Sequence, residues 1–133
     1  MQDIKRMQLY ADARRVEREL AALGSAGESP LDTARCARFD QLHYGGTSAV
    51  DEAAHRLGID AGTRVLDVGS GLGGPARHLA ASTGCAVTAV ELQPDFHDAA
   101  SRLTRRCGLD DRVRHVRADF LEAEFEDRHD ALV

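Results

Sequence analysis

Residues 64–79 read RVLDVGSGLGGPARHL, and the fold turns on this stretch. Val65, Leu66 and Val68 form a short, β-branched, apolar run bounded by Gly62 and Gly69, the pattern of a strand buried on both faces. Four glycines follow. Gly74-Pro75 then opens a helix, with proline at a first-turn position where its missing N–H costs nothing. At the end of a parallel strand such a turn lets the backbone approach a ligand closely, and the next helix aims its free N–H groups and positive dipole end at it. Gly69, Gly71 and Gly74 satisfy the G-x-G-x-x-G dinucleotide pattern, and Glu91 lies 22 residues after Gly69, near the spacing at which an acid takes ribose hydroxyls. A bound adenosine is expected; which adenosine cofactor is left open by the glycines.

Working outward, residues 86–90 (AVTAV) predict a second strand. Residues 94–107 predict a helix with Phe96, Ala99, Ala100, Leu103 and Cys107 on one face and Gly108 as its cap. Residues 113–118 (VRHVRA) predict a third strand, polar enough for an edge. Upstream, Val50, Ala53, Ala54 and Leu57 mark a helix from Thr47, with Ser48 and Asp51 as an S-x-x-D start and Gly58 as its stop. Alternating strands and helices of these lengths predict an α/β fold, a Rossmann-like, doubly wound parallel sheet. Residues 130–133 read as the start of a fourth strand beside the first. A sheet ending there would leave the first strand with an open side, so residues 47–133 are expected to be the N-terminal half of a longer domain. Residues 1–46 are expected to be a helical extension or lid. Within it Leu9, Ala13, Val16, Leu20 and Leu23 line one helical stripe over residues 4–23, ended by GSAGESP, with packing the first of its possible roles before a lid or a dimer contact.

Composition bounds the function. Of 133 residues, 43% are apolar and 29% charged, as in an ordinary globular chain, with neither a long apolar tract nor a signal-like leader, so the cytoplasm is the expected compartment and no membrane partner is expected. A net charge of −5 argues against a nucleic-acid partner and for a small molecule. Cys36, Cys85 and Cys107 are odd in number and far apart in sequence, which predicts buried reduced thiols, and the six scattered histidines predict no metal site. The single lysine, Lys5, leaves little scope for covalent lysine chemistry.

Asp67 discriminates among the cofactors. A dinucleotide site usually has an apolar residue two positions before the first glycine, because a carboxylate near the pyrophosphate repels it. An ionised Asp67 fits a ligand with no phosphate and a positive part, and S-adenosyl-L-methionine has an adenosine for Glu91, an ammonium and a sulfonium. A plain buried acid that accepts hydrogen bonds from the turn is the alternative, and the two roles can coexist.

VLDVGSGLGG, VTAVEL and VRADFLE together resemble the first, second and third-strand motifs of class I S-adenosylmethionine-dependent methyltransferases, over about residues 47–133. The resemblance implies that Asp67, Gly69, Ser70, Gly71 and Gly73 seat the methionine portion and that Glu91 binds the ribose hydroxyls. It also implies that Leu92 lies against the adenine, that Asp119 accepts from the adenine amino group, and that Phe120 lines that pocket. The segment FDQLHYGGTSAVDEA, residues 39–53, with GSGLGGPARHLA, is similar to the sarcosine/dimethylglycine N-methyltransferase-like group, which implies a small-molecule acceptor such as an amine. Methyl transfer from a sulfonium is an in-line displacement that needs alignment and exclusion of water but no nucleophile or metal from the protein. His43 and Tyr44, in the HYGG turn, are the candidates to close over the methyl group, against the alternative that they only anchor the N-terminal helix. An NAD-dependent oxidoreductase fragment, and a cofactor-binding module without catalysis, are the competing functions.

Overall fold

The computed structural model describes residues 12–133, so Leu9 of the expected stripe lies outside the described residues. The elements run α1 (Arg15–Ala22), α2 (Thr33–Cys36), α3 (Gly46–Leu57), β1 (Arg64–Val68), α4 (Gly74–Thr83), β2 (Ala86–Glu91), α5 (Pro94–Arg106), β3 (Val113–Arg117) and β4 (Ala131–Leu132). The strands make one parallel sheet in the order β3-β2-β1-β4. From β1 the chain winds outward through β2 to β3, then returns to the other side of β1. That reversal is the switch point at which open parallel sheets bind ligands, beyond the carboxyl ends of the strands.

Val65, Val87 and Val113 stand side by side in register with Ala131 and pack under α3 and α4 with Val50, Ala54, Ala76 and Leu79. The alternating set, Leu66, Thr88 and Val90, faces the other way, where His129 meets the Thr88 hydroxyl at 3.1 Å and Phe125 lies edge-on to His129. A second apolar cluster joins Val16 and Leu20 of α1, Cys36 of α2, Leu72 of the glycine turn and Phe96, Ala99 and Leu103 of α5. α1 therefore packs as a strut on α5, and Glu17 takes the Arg102 guanidinium at 2.7 Å beside that contact.

One expectation needs correction. The helix expected from Thr47 begins one residue earlier, at Gly46, after Gly45 in the left-handed region (φ 86°), and neither Ser48 nor any other side chain caps it. Asp51 is drawn away from a capping role by His78 of α4, whose ring Nε2 lies 2.6 Å from its carboxylate. The fourth strand stands beside the first as expected: β4 pairs with β1, and the Val68 N–H donates to the Val133 carbonyl at 3.0 Å. Cys36 and Cys107, far apart in sequence, have their sulfurs 3.7 Å apart. The short helix α2, capped by Asp32 on the Ala34 N–H, has no apolar period and was not expected from the sequence.

Arg77 of α4 is fully buried and organises this half of the molecule. Its guanidinium donates to the Asp40 carboxylate at 2.9 Å, to the Leu72 carbonyl at 2.6 Å, to the Ala100 carbonyl at 3.2 Å and to the Thr104 hydroxyl at 3.1 Å. One side chain thus joins the N-terminal segment, the glycine turn and α5. Arg106 repeats the device at the far end of α5, donating to the Ser25 and Ser29 carbonyls while its own carbonyl accepts from Leu31. Breaking a buried ion pair from one side leaves the other charge uncompensated. Arg77→Met is therefore expected to lower unfolding free energy by about 3 to 5 kcal/mol, read as the shift of the urea midpoint.

Candidate functional site

The site sits at the carboxyl ends of the strands. β1 ends on Asp67 and Val68, and the chain turns through Gly69, Ser70, Gly71, Leu72 and Gly73 into α4. The turn is tied to β2: the Val90 carbonyl accepts from the Gly69 and Ser70 N–H groups at 2.9 and 3.0 Å. Glu91 closes it, one carboxylate oxygen accepting from the Gly71 N–H and the other from the Gln93 N–H, both at 2.8 Å. Gly71 adopts a left-handed φ of 54°, which opens its N–H toward Glu91 at little steric cost. Gly74 is required for a different reason. A Cβ there would stand 2.3 Å from the Asp40 carbonyl oxygen, so only glycine lets the N-terminal segment lie against the start of α4.

Two cavities open at this edge. One, of about 150 Å³, is walled by the Gly69–Leu72 backbone on one side and by Asp40, Leu42 and His43 on the other. The second, of about 220 Å³, lies past His43 and Pro75, which both cavities share; Asp67 is at its floor and Ala49, Val50, Ala53, Leu79 and Val133 make an apolar wall. Asp67 and Val133 flank the switch point between β1 and β4.

The electrostatics of the turn are unbalanced. Asp67 is buried, and its Oδ2 and the buried Ser70 Oγ have no hydrogen-bond partner. Burial first, and then the nearby Glu91 charge, push the Asp67 carboxyl from the usual 3.8 up to about 6, with His43 pulling weakly the other way. Two acids crowded at a low-dielectric strand end, one with an orphaned oxygen, make a seat for positive charge. His115, behind the turn, is pushed down to about 4 by burial and by Arg77, so it stays neutral and adds no charge there.

The structure brings Asp67, Gly69, Ser70, Gly71 and Glu91 together. Leu92, Asp119 and Phe120 line neither of these cavities. Asp119 follows β3 in the strand-end row, where the Ala118 N–H donates to the Glu91 carbonyl at 3.1 Å, and its carboxylate accepts from the Leu121 N–H. Phe120 packs against Phe125, ring centroids 6.1 Å apart, and Leu92 is part-exposed. Gly73 belongs to the interior: a Cβ on it would meet Arg77 and His115 at 2.9 Å, so it is a packing glycine and does not line the seat. His43 is at the junction of the cavities, its Nε2 2.8 Å from Gln41 Oε1 and its Nδ1 3.0 Å from the Tyr44 carbonyl. The Tyr44 side chain is fully exposed and lines neither cavity.

The residues that sequence reasoning missed are Asp40, Leu42 and Arg77. The first two form the outer wall of the seat and the third holds that wall in place; an arginine within an amphipathic helix carries no signal that it is buried. Among the described residues no group of three or more His, Cys, Asp or Glu side chains is placed to hold a metal ion, and no helix is long and apolar enough to cross a membrane.

Residues 65–133 match a family model described as a methyltransferase domain. Among curated proteins, the chain is 43% identical over 95 residues to a sterol 24-C-methyltransferase of Eremothecium gossypii, covering 67% of this chain and 26% of that protein. The chain spans about a quarter or less of the length of the curated relatives it matches. Among solved structures, a SAM-dependent methyltransferase from Thiobacillus denitrificans in complex with S-adenosyl-L-homocysteine superposes with a TM-score of 0.58 at 26% identity, over 64% of this chain and 34% of that one. A putative sarcosine dimethylglycine methyltransferase from Galdieria sulphuraria, with a TM-score of 0.59 over 64% of this chain and 32% of that one, is 24% identical and shares the fold.

The Asp67 environment sets a pH dependence. A carboxyl whose folded pKa lies above its unfolded value binds its proton more tightly when folded, so its contribution to stability is present below pH 3.8 and lost as pH rises through about 6. Asp67→Asn removes that loss. Relative to the parent chain, the variant is expected to gain about 2 kcal/mol between pH 4 and pH 7, read from urea unfolding of both proteins at the two pH values.

Proposed function

The chain belongs to the methyltransferase-domain family, and on that premise we propose that it binds S-adenosyl-L-methionine at the glycine turn for methyl transfer to a small-molecule acceptor. The carrying observation is Asp67, a buried carboxylate with an orphaned oxygen beside Glu91 at the end of β1. An ammonium and a sulfonium supply the positive charge that this pair lacks. A pyrophosphate would add negative charge to it, which weighs against the NAD reading despite the G-x-G-x-x-G spacing.

In this reading Asp67 and Ser70 hold the polar methionine end, Glu91 accepts from the ribose hydroxyls with the lone pairs its two backbone contacts leave, and Leu92, Asp119 and Phe120 serve the adenine. When bound, the sulfonium supplies an activated methyl group with a good leaving group. The chain's own work is then alignment and dryness: the turn, clamped by Glu91 and Arg77, fixes the donor, and Leu42 and His43 cover it. For an acceptor that must lose a proton, the His43 imidazole is a base on the cavity wall, whose Nε2 would exchange Gln41 for the acceptor.

The acceptor lies in the larger cavity. Its wall of Ala49, Val50, Ala53, Leu79 and Val133 supports a molecule with an apolar body, and the similarity to a sterol methyltransferase points the same way. A net charge of −5 disfavours a polyanionic acceptor. A small amine of the sarcosine type is the second reading, favoured by the resemblance of residues 39–53 to the sarcosine/dimethylglycine N-methyltransferase-like group.

Calorimetric titration is expected to give heat with S-adenosyl-L-methionine and none with NAD; the reverse result would overturn the cofactor. Glu91→Ala should weaken binding by about 1 to 3 kcal/mol. A cation beside Asp67 lowers its pKa, so binding at pH 6 should release up to about half a proton, and binding at pH 8 none, read from the dependence of the heat on buffer ionisation enthalpy. With methyl-labelled cofactor, product from sterol-like but not glycine-derived acceptors supports the apolar reading, and the opposite pattern supports the amine.

A further inference from the structure

The chain holds a second reactive feature, away from the glycine turn. Cys36, on α2, is fully buried, and Cys107 follows the last residue of α5 half-buried, where solvent reaches it. Their sulfurs are 3.7 Å apart across 71 residues of sequence. The Cys36 carbonyl accepts from the Phe39 and Asp40 N–H groups at 2.9 and 3.1 Å, so Cys36 is bonded directly to the residue that pairs with Arg77 and walls the smaller cavity.

We propose that Cys36 and Cys107 are a modification site for hydrogen peroxide, closing to a reversible intramolecular disulfide that pins the 36–43 segment to the end of α5. The Cys107 thiolate attacks one peroxide oxygen; the O–O bond breaks and the departing hydroxide takes a proton to become water, leaving Cys107 as a sulfenic acid. The Cys36 sulfur then attacks the Cys107 sulfur, the S–O bond breaks, and the second hydroxide leaves with the Cys36 proton as water. Two electrons, one from each sulfur, reduce the peroxide to two waters.

The order of attack follows from the surroundings. The contact with Cys36, aided by the Arg77 charge and Thr33, holds the Cys107 thiol below its ordinary range, against an opposing effect of burial. The same contact and its own burial raise the Cys36 thiol. The half-buried Cys107, which solvent reaches, is therefore the nucleophile, and the buried Cys36 resolves it. Cys85, also buried, contacts neither thiol and its own thiol is raised by burial, which makes it an internal control.

The test is intact-mass and peptide analysis of the chain after hydrogen peroxide. Expected are a mass loss of about 2 Da, a fall in free thiols from three to one, a Cys36–Cys107 linked tryptic peptide, and reversal by dithiothreitol. The closed form should melt higher by about 5 to 15 °C, because a cross-link over so long a loop restricts the unfolded chain. Cys85→Ser should keep the link, and Cys107→Ser should lose it. A sulfenic or sulfinic Cys107 without the link, a link through Cys85, or a link between two chains would overturn the proposal, and peptide mapping of the parent chain decides this even where a variant fails to fold.

Discussion

The buried guanidinium of Arg77 is the constraint on which the rest of this structure depends. A charge with no exposure must be surrounded by acceptors, and those it finds come from separate parts of the chain: the Asp40 carboxylate, the Leu72 carbonyl in the turn, and Ala100 and Thr104 on α5. The geometry of the seat follows from that requirement. Leu72 is held down, which fixes the turn against α4 and α5, and Asp40 is drawn in, so its backbone rests on Gly74 and carries Leu42 and His43 over the opening. The helical extension braces the turn from behind: α1 packs through Val16 and Leu20 into the same apolar cluster as Leu72 and Phe96.

Against this rigid clamp stands an unresolved tension. Glu91 is satisfied by two backbone N–H groups, while Asp67, one strand over, is buried with an oxygen that nothing answers. Burying an acid in this way costs stability, and a positively charged ligand is the simplest thing that offsets it. The clamp and the tension belong together. A seat whose unfavourable charge is relieved only by the right ligand must not relieve it by collapsing, and the Arg77 network together with the Val90 and Glu91 bonds to the turn keeps it open.

Much of this was legible in residues 64–79. Apolar runs bounded by glycines are short-range signals, and β1, β2, β3, α4 and α5 lie close to where periodicity puts them. Asp67 stood out because a carboxylate is out of place in a buried strand, and its role rests on its neighbours in the chain. What periodicity could not reach was contact between distant segments. Arg77 reads as a solvated helix residue, Asp40 as a loop acid, and Cys36 and Cys107 as unrelated thiols. Gly73 and Gly74 looked like more of the ligand turn, yet one packs on Arg77 and His115 and the other on the Asp40 backbone. Ser48 and Asp51 had the spacing of a cap, but the carboxylate is claimed by His78 from another helix.

The sequence by itself therefore determined the parallel sheet, the glycine turn at the end of its first strand and the acids at two strand ends, since all of these follow from local pattern and spacing along one unit. Only the tertiary structure decided which residues wall the seat, that the Tyr44 side chain is exposed, and that two cysteines meet. Those outcomes depend on where a buried charge finds its acceptors, and burial is a property of the folded whole that no single stretch of sequence carries.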